Sequence, residues 1–585
     1  MSGRASECDV LVIGSGGGGL SAALTASQRG LDVAVVEKTE LFGGTTAWSG
    51  GWLWIPGNRH AVEGGIVDDV PAARRYLQNE LGSRFDAARV DAFLDNGPRM
   101  VEFFERETEV KFSPGLRTPD FHPASEGAGV GRGITAVPFD GRELGKLLAK
   151  LRPPLPEITV YGMAIAAGTD LQHFMNATRS PGSAWHAGKR FAAHGFHLLR
   201  DGRSVHLVNG NALVARLLYS AARRCIPMFN HACAVELLTA DGAVTGAVVE
   251  IKGKRVRVTT RRGVVLAAGG FPHDVARRRA LFPHAPTGRE HWSAAPPTNT
   301  GDGLRLAEAV GAAIDTELQH PAAWAPVSEV RHPDGRLGIF PHLIDRAKPG
   351  VVAVRADGRR FVNEAGSYCD FVAALQQATA EGEEVAAYLL ADHPTLRRYG
   401  LGYAKPFPFQ LAPHLRSGYL KRGATLRELA LACGIAPEAL ERTIADYNRH
   451  ARSGEDPAFG RGTTPFNRAG GDPKVEPNPC VAAVERAPFY AVKVLPGSLG
   501  TFAGVKTDAR ARALRSDGTP VRGLYAVGSD MASIMAGCYP AGGITLGPAM
   551  TFGFIAGEDL AAAGRDGAPA AAVCGIDRTA PEELR

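Results

Sequence analysis

The chain opens on an apolar run with no alternation, residues 10–13 after Asp9. That pattern predicts a strand buried on both faces over residues 9–14. It runs into Gly14-Ser15-Gly16-Gly17-Gly18-Gly19. A helical pattern follows, with Leu20, Ala23, Leu24 and Ser27 on one face and Gly30 closing it. Residues 31–36 predict the next strand, which ends at Glu37. Strand, glycine turn, helix and strand make a complete βαβ unit. Gly14, Gly16 and Gly19 fit GxGxxG, and Glu37 stands where an acid accepts from ribose hydroxyls.

Residues 67–110 read as charged helices and 114–133 as loop, while 144–196 are mixed and yield no clear element. Asn209-Gly210-Asn211 predicts the cap of an amphipathic helix over 212–224. Residues 235–238, 244–251 and 255–260 predict meander strands, and 264–268 a strand returning to the first sheet. Helices are expected over 304–310, 425–433 and 437–451, and the last ten or so residues read as frayed. Residues 501–508 and 523–528 return to the first domain. The expected organisation is α/β: residues 1–274 and 491–585 in a Rossmann-like domain, with residues 275–490 inserted.

At 585 residues the chain is too long for a single core, and 45% hydrophobic content leaves no shortage of apolar surface to bury. The net charge of +6 is scattered, with no basic block interleaved with aromatics, which speaks against nucleic acid. No run of about 18 apolar residues occurs, and the start does not read as a signal peptide. Eight dispersed cysteines without a CxxC pair or metal spacing predict reduced thiols, a cytoplasmic location and no metal.

Two further stretches carry candidate chemistry. Residues 42–56 form a loop rich in glycine and hydroxyls, Gly43-Gly44-Thr45-Thr46-Ala47-Trp48-Ser49-Gly50-Gly51, where a plain nicotinamide enzyme would enter another helix. Such a loop suits an extended FAD. No histidine lies between Gly43 and Arg59, so the flavin is expected to be held non-covalently. Near the other end, Tyr539-Pro540-Ala541-Gly542-Gly543 leads into an apolar helix predicted from about Thr545. A helix start after two glycines offers unpaired N–H groups and a positive dipole end to a flavin edge or a developing enolate. The Tyr539 phenol, just before it, offers a second donor.

The first βαβ unit, GGTTAWSGGWLWIP, the NTGDG turn, GRRFVNEAGSYCDF, GLYAVGSD and CYPAGGITLGPAMTFGFIAG occur in that order. Together they resemble the fumarate reductase/succinate dehydrogenase flavoprotein superfamily, and within it most closely the 3-ketosteroid dehydrogenases. The resemblance implies a Rossmann-like FAD-binding domain with an inserted α+β substrate (cap) domain. For FAD it implies contacts from Gly14, Gly16, Gly17, Gly19, Glu37, Lys38, Gly43, Gly44, Thr45, Thr46, Ser49, Gly50, Gly51, Ala268, Gly269, Asp302, Gly528, Ser529, Gly543, Thr545 and Leu546. It implies Tyr368 as the proton acceptor, Tyr539 and Gly543 as a carbonyl clamp, and Phe121 and Ser49 in the substrate pocket. The family often has a tyrosine where Thr118-Pro119-Asp120-Phe121-His122-Pro123 places Phe121, and His122 is the neighbour that would have to replace it.

The reaction so implied is 3-ketosteroid 1(2)-dehydrogenation, with a quinone or similar electron acceptor. Another cyclic ketone, such as a 4-oxocyclohexanecarboxylate, or another steroid bond is the alternative. Fumarate reduction fits less well: Tyr368 stands where dicarboxylate enzymes carry an arginine, and Gly500-Thr501-Phe502-Ala503-Gly504 lacks their histidine. A flavoprotein that only carries electrons is the third reading.

Overall fold

Two glycine-lined helices hold the ends of the chain together. The computed structural model describes residues 6–67 and 69–563, so the C-terminal ten residues read as frayed lie outside the described residues. Gly17–Gln28 and Leu546–Ala562 cross at backbone distance. A Cβ on Gly553 would stand 2.4 Å from the Gly18 carbonyl oxygen, and one on Gly557 would stand 2.6 Å from Thr25 Cβ. Ser21 Oγ donates to the Met550 carbonyl at 2.6 Å. Both helices are buried almost all round, which is why neither shows a polar stripe.

These helices cover an eight-stranded sheet. Its centre is parallel: Ser6–Ile13 pairs with Val33–Val36 on one side and Lys254–Leu266 on the other, and Pro520–Ala526 adds beyond. Ala232–Ala240 and Ala243–Ile251 extend the sheet as an antiparallel meander. The two strands expected over 255–260 and 264–268 are one strand, Lys254–Leu266. Its first half pairs with the meander and its second with the parallel core. The glycine at 263 does not end it, because Gly263 extends past Gly523, where a Cβ would lie 2.7 Å from a carbonyl oxygen.

A second, mixed sheet of seven strands is built on the 13-residue strand Phe489–Thr501. Ala322–Arg331, Ala387–Asp392 and Leu420–Gly423 all pair with it, antiparallel. Helices Leu426–Cys433, capped by Thr425, and Pro437–Ala451 lie where their patterns placed them. The architecture is therefore a Rossmann-like sheet domain carrying an inserted α+β layer.

One cap differs from its reading. Helix Asn209–Arg223 starts at Val208, with no side-chain cap. Asn209, at φ +58°, binds Ile165 O and Ala167 N, and Asn211 donates to Arg152 O. The amides are drawn off by the neighbouring loop, so neither closes the helix. The mixed stretch contains the helices Thr169–Met175 and Pro181–Asp201.

Candidate active site

The first strand delivers Gly14 at φ +112°, where a Cβ would meet the Ala267 carbonyl oxygen at 2.1 Å. Gly19 has the same constraint against Gly14 O, at 2.3 Å. Packing thus demands glycine at both positions. Gly16 is different: a Cβ there would find only Thr46 Oγ1, at 3.6 Å. Its side faces the Gly43–Thr46 loop, and the helix it caps has no side-chain cap, so the first-turn N–H groups point into that opening. Gly17 N donates to Thr46 Oγ1 at 3.0 Å, and Leu546 stands against Gly17. Gly43 N donates to Ser15 Oγ at 3.0 Å, while Gly44, at φ +50°, has nothing nearer than Gly16.

Glu37, at the end of Val33–Val36, accepts from Ser15 Oγ at 2.7 Å and from Thr39 N and Oγ1 at 3.0 and 2.9 Å. Ser15 N also donates to it, at 3.3 Å, so four donors fix this carboxylate at the strand end. Lys38 donates to Thr300 Oγ1 at 3.0 Å and pairs with Asp302, so the strand end and the NTGDG turn meet. Ser49 is turned into its own loop: its hydroxyl donates to Thr46 O and accepts from Gly51 N, with Gly210 seated against it. Gly50 packs on Trp52, and Gly51, at φ +70°, leaves no room for a Cβ beside Asn209.

Two residues of this region went unread in the sequence. Asp530 is fully buried and accepts from Ala268 N at 2.5 Å and Gly270 N at 2.9 Å, fixing the Ala268–Gly269 turn. Burial raises its pKa to about 6. Asn299 bridges Thr45 Oγ1 and Gly269 O at 3.0 and 3.1 Å. Both lie beside a glycine turn, Asp530 two residues after Gly528 and Asn299 two before Gly301. Gly528, at φ +63°, abuts Gly18, and Ser529 O faces Gly270.

A cluster of aromatic side chains, the chamber of this site, gathers at the turn before Leu546–Ala562. Tyr368 is the first residue of helix Tyr368–Ala378, which Ser367 caps by accepting from Cys369 N at 3.2 Å. Tyr539 approaches from the turn before Leu546–Ala562. The two rings lie 4.8 Å apart at 72°. Thr545 and Tyr368 are the polar side chains beside the Tyr539 phenol. Gly543, at φ +99°, lies against Trp54 N, and its carbonyl accepts from Trp54 N and Gly547 N.

Phe121 forms the third wall, 5.4 Å from Tyr368, 5.8 Å from Tyr539 and 4.4 Å from Phe466. Its N–H donates to Pro540 O at 2.8 Å. Beside it, buried Asp120 accepts from Trp54 Nε1 at 2.8 Å and pairs with Arg132 at 2.6 Å. His122 faces away from the phenols. It bridges Glu80 and Asp370, the latter at 2.9 Å, and so straps the loop to the Tyr368 helix. Burial pushes its pKa down, but the two carboxylates hold it up at about 10.

Both phenols are held neutral. Burial first, then the neighbouring Tyr539, drives Tyr368 well above the ordinary phenol value; burial takes Tyr539 to about 12. The opposing influence on Tyr368 is Arg346, another residue the sequence did not single out. Fully buried, it donates to His342 O, Glu364 O and Gly366 O at 2.8, 2.8 and 3.3 Å, just ahead of the Tyr368 helix. The FVNE acid, Glu364, is structural. It pairs with Arg360 at 2.7 Å and Arg461 at 3.1 Å, which hold it at about 2 despite burial. Cys369 and Cys538 are buried thiols with raised pKa values.

Residues 9–546 match the family model described as FAD binding domain. The chain belongs to that FAD-binding oxidoreductase family. Its curated relatives include the 4-oxocyclohex-2-ene-1-carboxylate 5-dehydrogenase of Sinomonas cyclohexanicum, 40% identical, with 95% of this chain and 94% of that protein covered. The 3-oxosteroid 1-dehydrogenase of Mycolicibacterium smegmatis is 35% identical over 95% of this chain and 97% of its own. Among solved structures, the 3-ketosteroid delta1-dehydrogenase from Sterolibacterium denitrificans superposes with a TM-score of 0.88 at 35% identity, covering 95% of this chain and all of that one. FAD is the cofactor of this family member. The open side of Gly16 and the uncapped helix start behind it fit a dinucleotide.

Proposed function

We propose that this FAD-dependent dehydrogenase introduces a C=C bond beside a ring ketone, by 3-ketosteroid 1(2)-dehydrogenation. The carrying observation is the ring pair Tyr368–Tyr539, centroids 4.8 Å apart, at the glycine turn before Leu546–Ala562. In this reading the ring lies between residues 275–490 and the FAD-binding domain. The Tyr539 hydroxyl and Gly543 N–H donate to the ketone oxygen. That lowers the cost of charge on the oxygen as the adjacent carbon loses its proton. Tyr368 receives that proton, and bound FAD supplies the acceptor for the hydride leaving the neighbouring carbon. Arg346 and the helix N-terminus favour the anionic form of Tyr368 that this requires. Phe121 and Phe466 supply apolar walls and no charge, as a neutral ring system demands. A quinone or dye-like acceptor for reoxidation belongs to the same proposal, since the chain carries one dinucleotide fingerprint.

The relative at 40% identity supports a second reading, in which the ring is a 4-oxocyclohexane- or cyclohexenecarboxylate. Anaerobic mixing separates the two. Androst-4-ene-3,17-dione bleaches the bound flavin under the first reading. Bleaching by 4-oxocyclohexanecarboxylate and not by the steroid would select the second.

A further inference from the structure

One buried carboxylate holds the inserted layer to a segment beside the cofactor cradle. Glu157 is 1% exposed. It is bound to His332 Nε2 at 2.7 Å and accepts from Arg336 Nη1 at 3.2 Å, while its carbonyl oxygen accepts from Lys405 Nζ at 3.2 Å. All three partners lie within residues 275–490. Gly338 is pressed onto the same carboxylate: a Cβ there would stand 2.0 Å from Glu157 Oε1. A carboxylate taken out of water is costly unless it is paired, so these partners hold it in place. They lead to Arg346 by two short routes. Gly338 lies on strand Leu337–Pro341, and the next residue, His342, gives its carbonyl oxygen to Arg346 Nε at 2.8 Å. Lys405 follows Gly402, whose N–H donates to Asp345 Oδ2 at 3.0 Å, and Asp345 pairs with His342 at 2.6 Å. In the other direction, Glu157 stands five residues after Arg152. Arg152 N donates to Phe42 O at 3.0 Å and its Nη2 to Thr39 Oγ1 at 3.1 Å, and Thr39 donates to Glu37. Pro153, Pro154 and Pro156 fix φ over most of that span, so it carries a displacement instead of absorbing it.

We propose that Glu157 is a positioning residue for the proton transfer: through the proline span it holds the Arg346 loop, and with it the Tyr368 base, at a fixed place relative to the FAD cradle. The proposal rests on the dehydrogenase reading above. In that reading the base comes from the inserted layer, and the carbonyl clamp and the flavin from the other domain. Their separation is therefore set by contacts between the two. His122 ties them on the Tyr368 side, through Asp370. Glu157 ties them on the Arg346 side. A displacement far from the chemistry is enough to slow it, because reacting atoms must approach to about 3–3.5 Å.

The test follows flavin reduction by a 3-keto-4-ene steroid across pH in the holoenzyme. Arg346 is faced by Asp345, Glu364 and Arg461 besides Tyr368, and Tyr368 by Tyr539 and Cys369; these stay unchanged. Glu157→Ala lowers the rate about 10-fold and moves its rise to higher pH, as loss of Arg346 itself would. Loss of the Glu157 charge alone would move the rise to lower pH, since removing an anion favours a phenolate. The sign thus separates positioning from charge. Gly338→Ala, which displaces the carboxylate without removing it, acts in the same direction. Glu157→Gln, which still accepts from His332 and Arg336, restores part of the rate. In the Arg346→Met background Glu157→Ala adds nothing. A profile that stays in place or moves to lower pH overturns the proposal, as does a full effect of Glu157→Ala without Arg346. Hydrogen exchange of the substrate-free holoenzyme gives a second readout, in which Glu157→Ala speeds exchange of the backbone amides of residues 337–346. Unchanged exchange overturns the proposal even where no cyclic ketone reduces the wild-type flavin, a result that defeats the dehydrogenase reading on its own.

Discussion

The dinucleotide cradle and the aromatic chamber are adjacent but built by opposite means. The cradle is mostly backbone: glycines at positive φ, helix N–H groups, and carboxylates that hold loops. The tightest constraints there are close backbone approaches, as the 2.1 Å between a Cβ on Gly14 and Ala267 O shows. The chamber is mostly side chain. Phe121, Tyr368, Phe466, Phe502 and Tyr539 come from five distant segments, with ring centroids 4.4–5.9 Å apart. The cradle fails when an atom is added at Gly14 or Gly19. A chamber keeps its shape when an oxygen is removed and loses only the chemistry.

The largest effect is therefore expected in the cradle. Gly14→Ala places a methyl on a carbonyl oxygen at a strained φ. The purified variant should carry no flavin absorbance; a yellow variant with normal flavin content would break the contrast. In the chamber, Tyr539→Phe removes a donor but no volume. Flavin content should match wild type while turnover falls about 10²–10³-fold. Near-normal turnover would remove Tyr539 from the clamp.

Arg346 sharpens the contrast, since it acts on the chamber from behind. Arg346→Met removes the cation that opposes the raised pKa of Tyr368. The rise of the flavin-reduction rate with pH should move to higher pH, and Arg346→Lys should restore part of the shift. A lower rate with an unmoved pH profile would mean that Arg346 only braces the loop.

The smallest effect concerns the strap. The folded-state pKa of His122, about 10, lies above the ordinary histidine value near 6.5. Its contribution to stability is complete below about pH 6.5 and is lost as pH rises through about 10. His122→Gln should lower the melting temperature by a few degrees at pH 6 and by less at pH 10. An equal difference at both would show that charge is not involved.

The same contrast explains what the sequence made legible. Cradle residues lie within a few positions of a strand end, so GxGxxG, Glu37 and NTGDG could be read locally. The expected pair of strands became one because nothing in the pattern distinguishes a chain break at Gly263 from a close pass beside Gly523. Tyr368 and Phe121 came from the family resemblance alone, since their proximity to Tyr539 is tertiary, whereas Tyr539 could also be read from its place before the glycine turn. Arg346 and Asp530 escaped because each works through backbone carbonyls or N–H groups, a role that leaves no periodic trace. The Pro181–Asp201 helix escaped because its apolar residues face outward, contrary to the rule used to find helices.

The central claim is that a phenol at position 368 takes the proton, and rapid mixing of Tyr368→Phe with a 3-keto-4-ene steroid under anaerobic conditions tests it most directly. The ring and its packing on Phe121 and Tyr539 remain, so the steroid should still bind and perturb the flavin spectrum. Flavin reduction should slow by about 10²–10⁴-fold, the usual cost of losing a general base. Reduction at the wild-type rate would contradict the account.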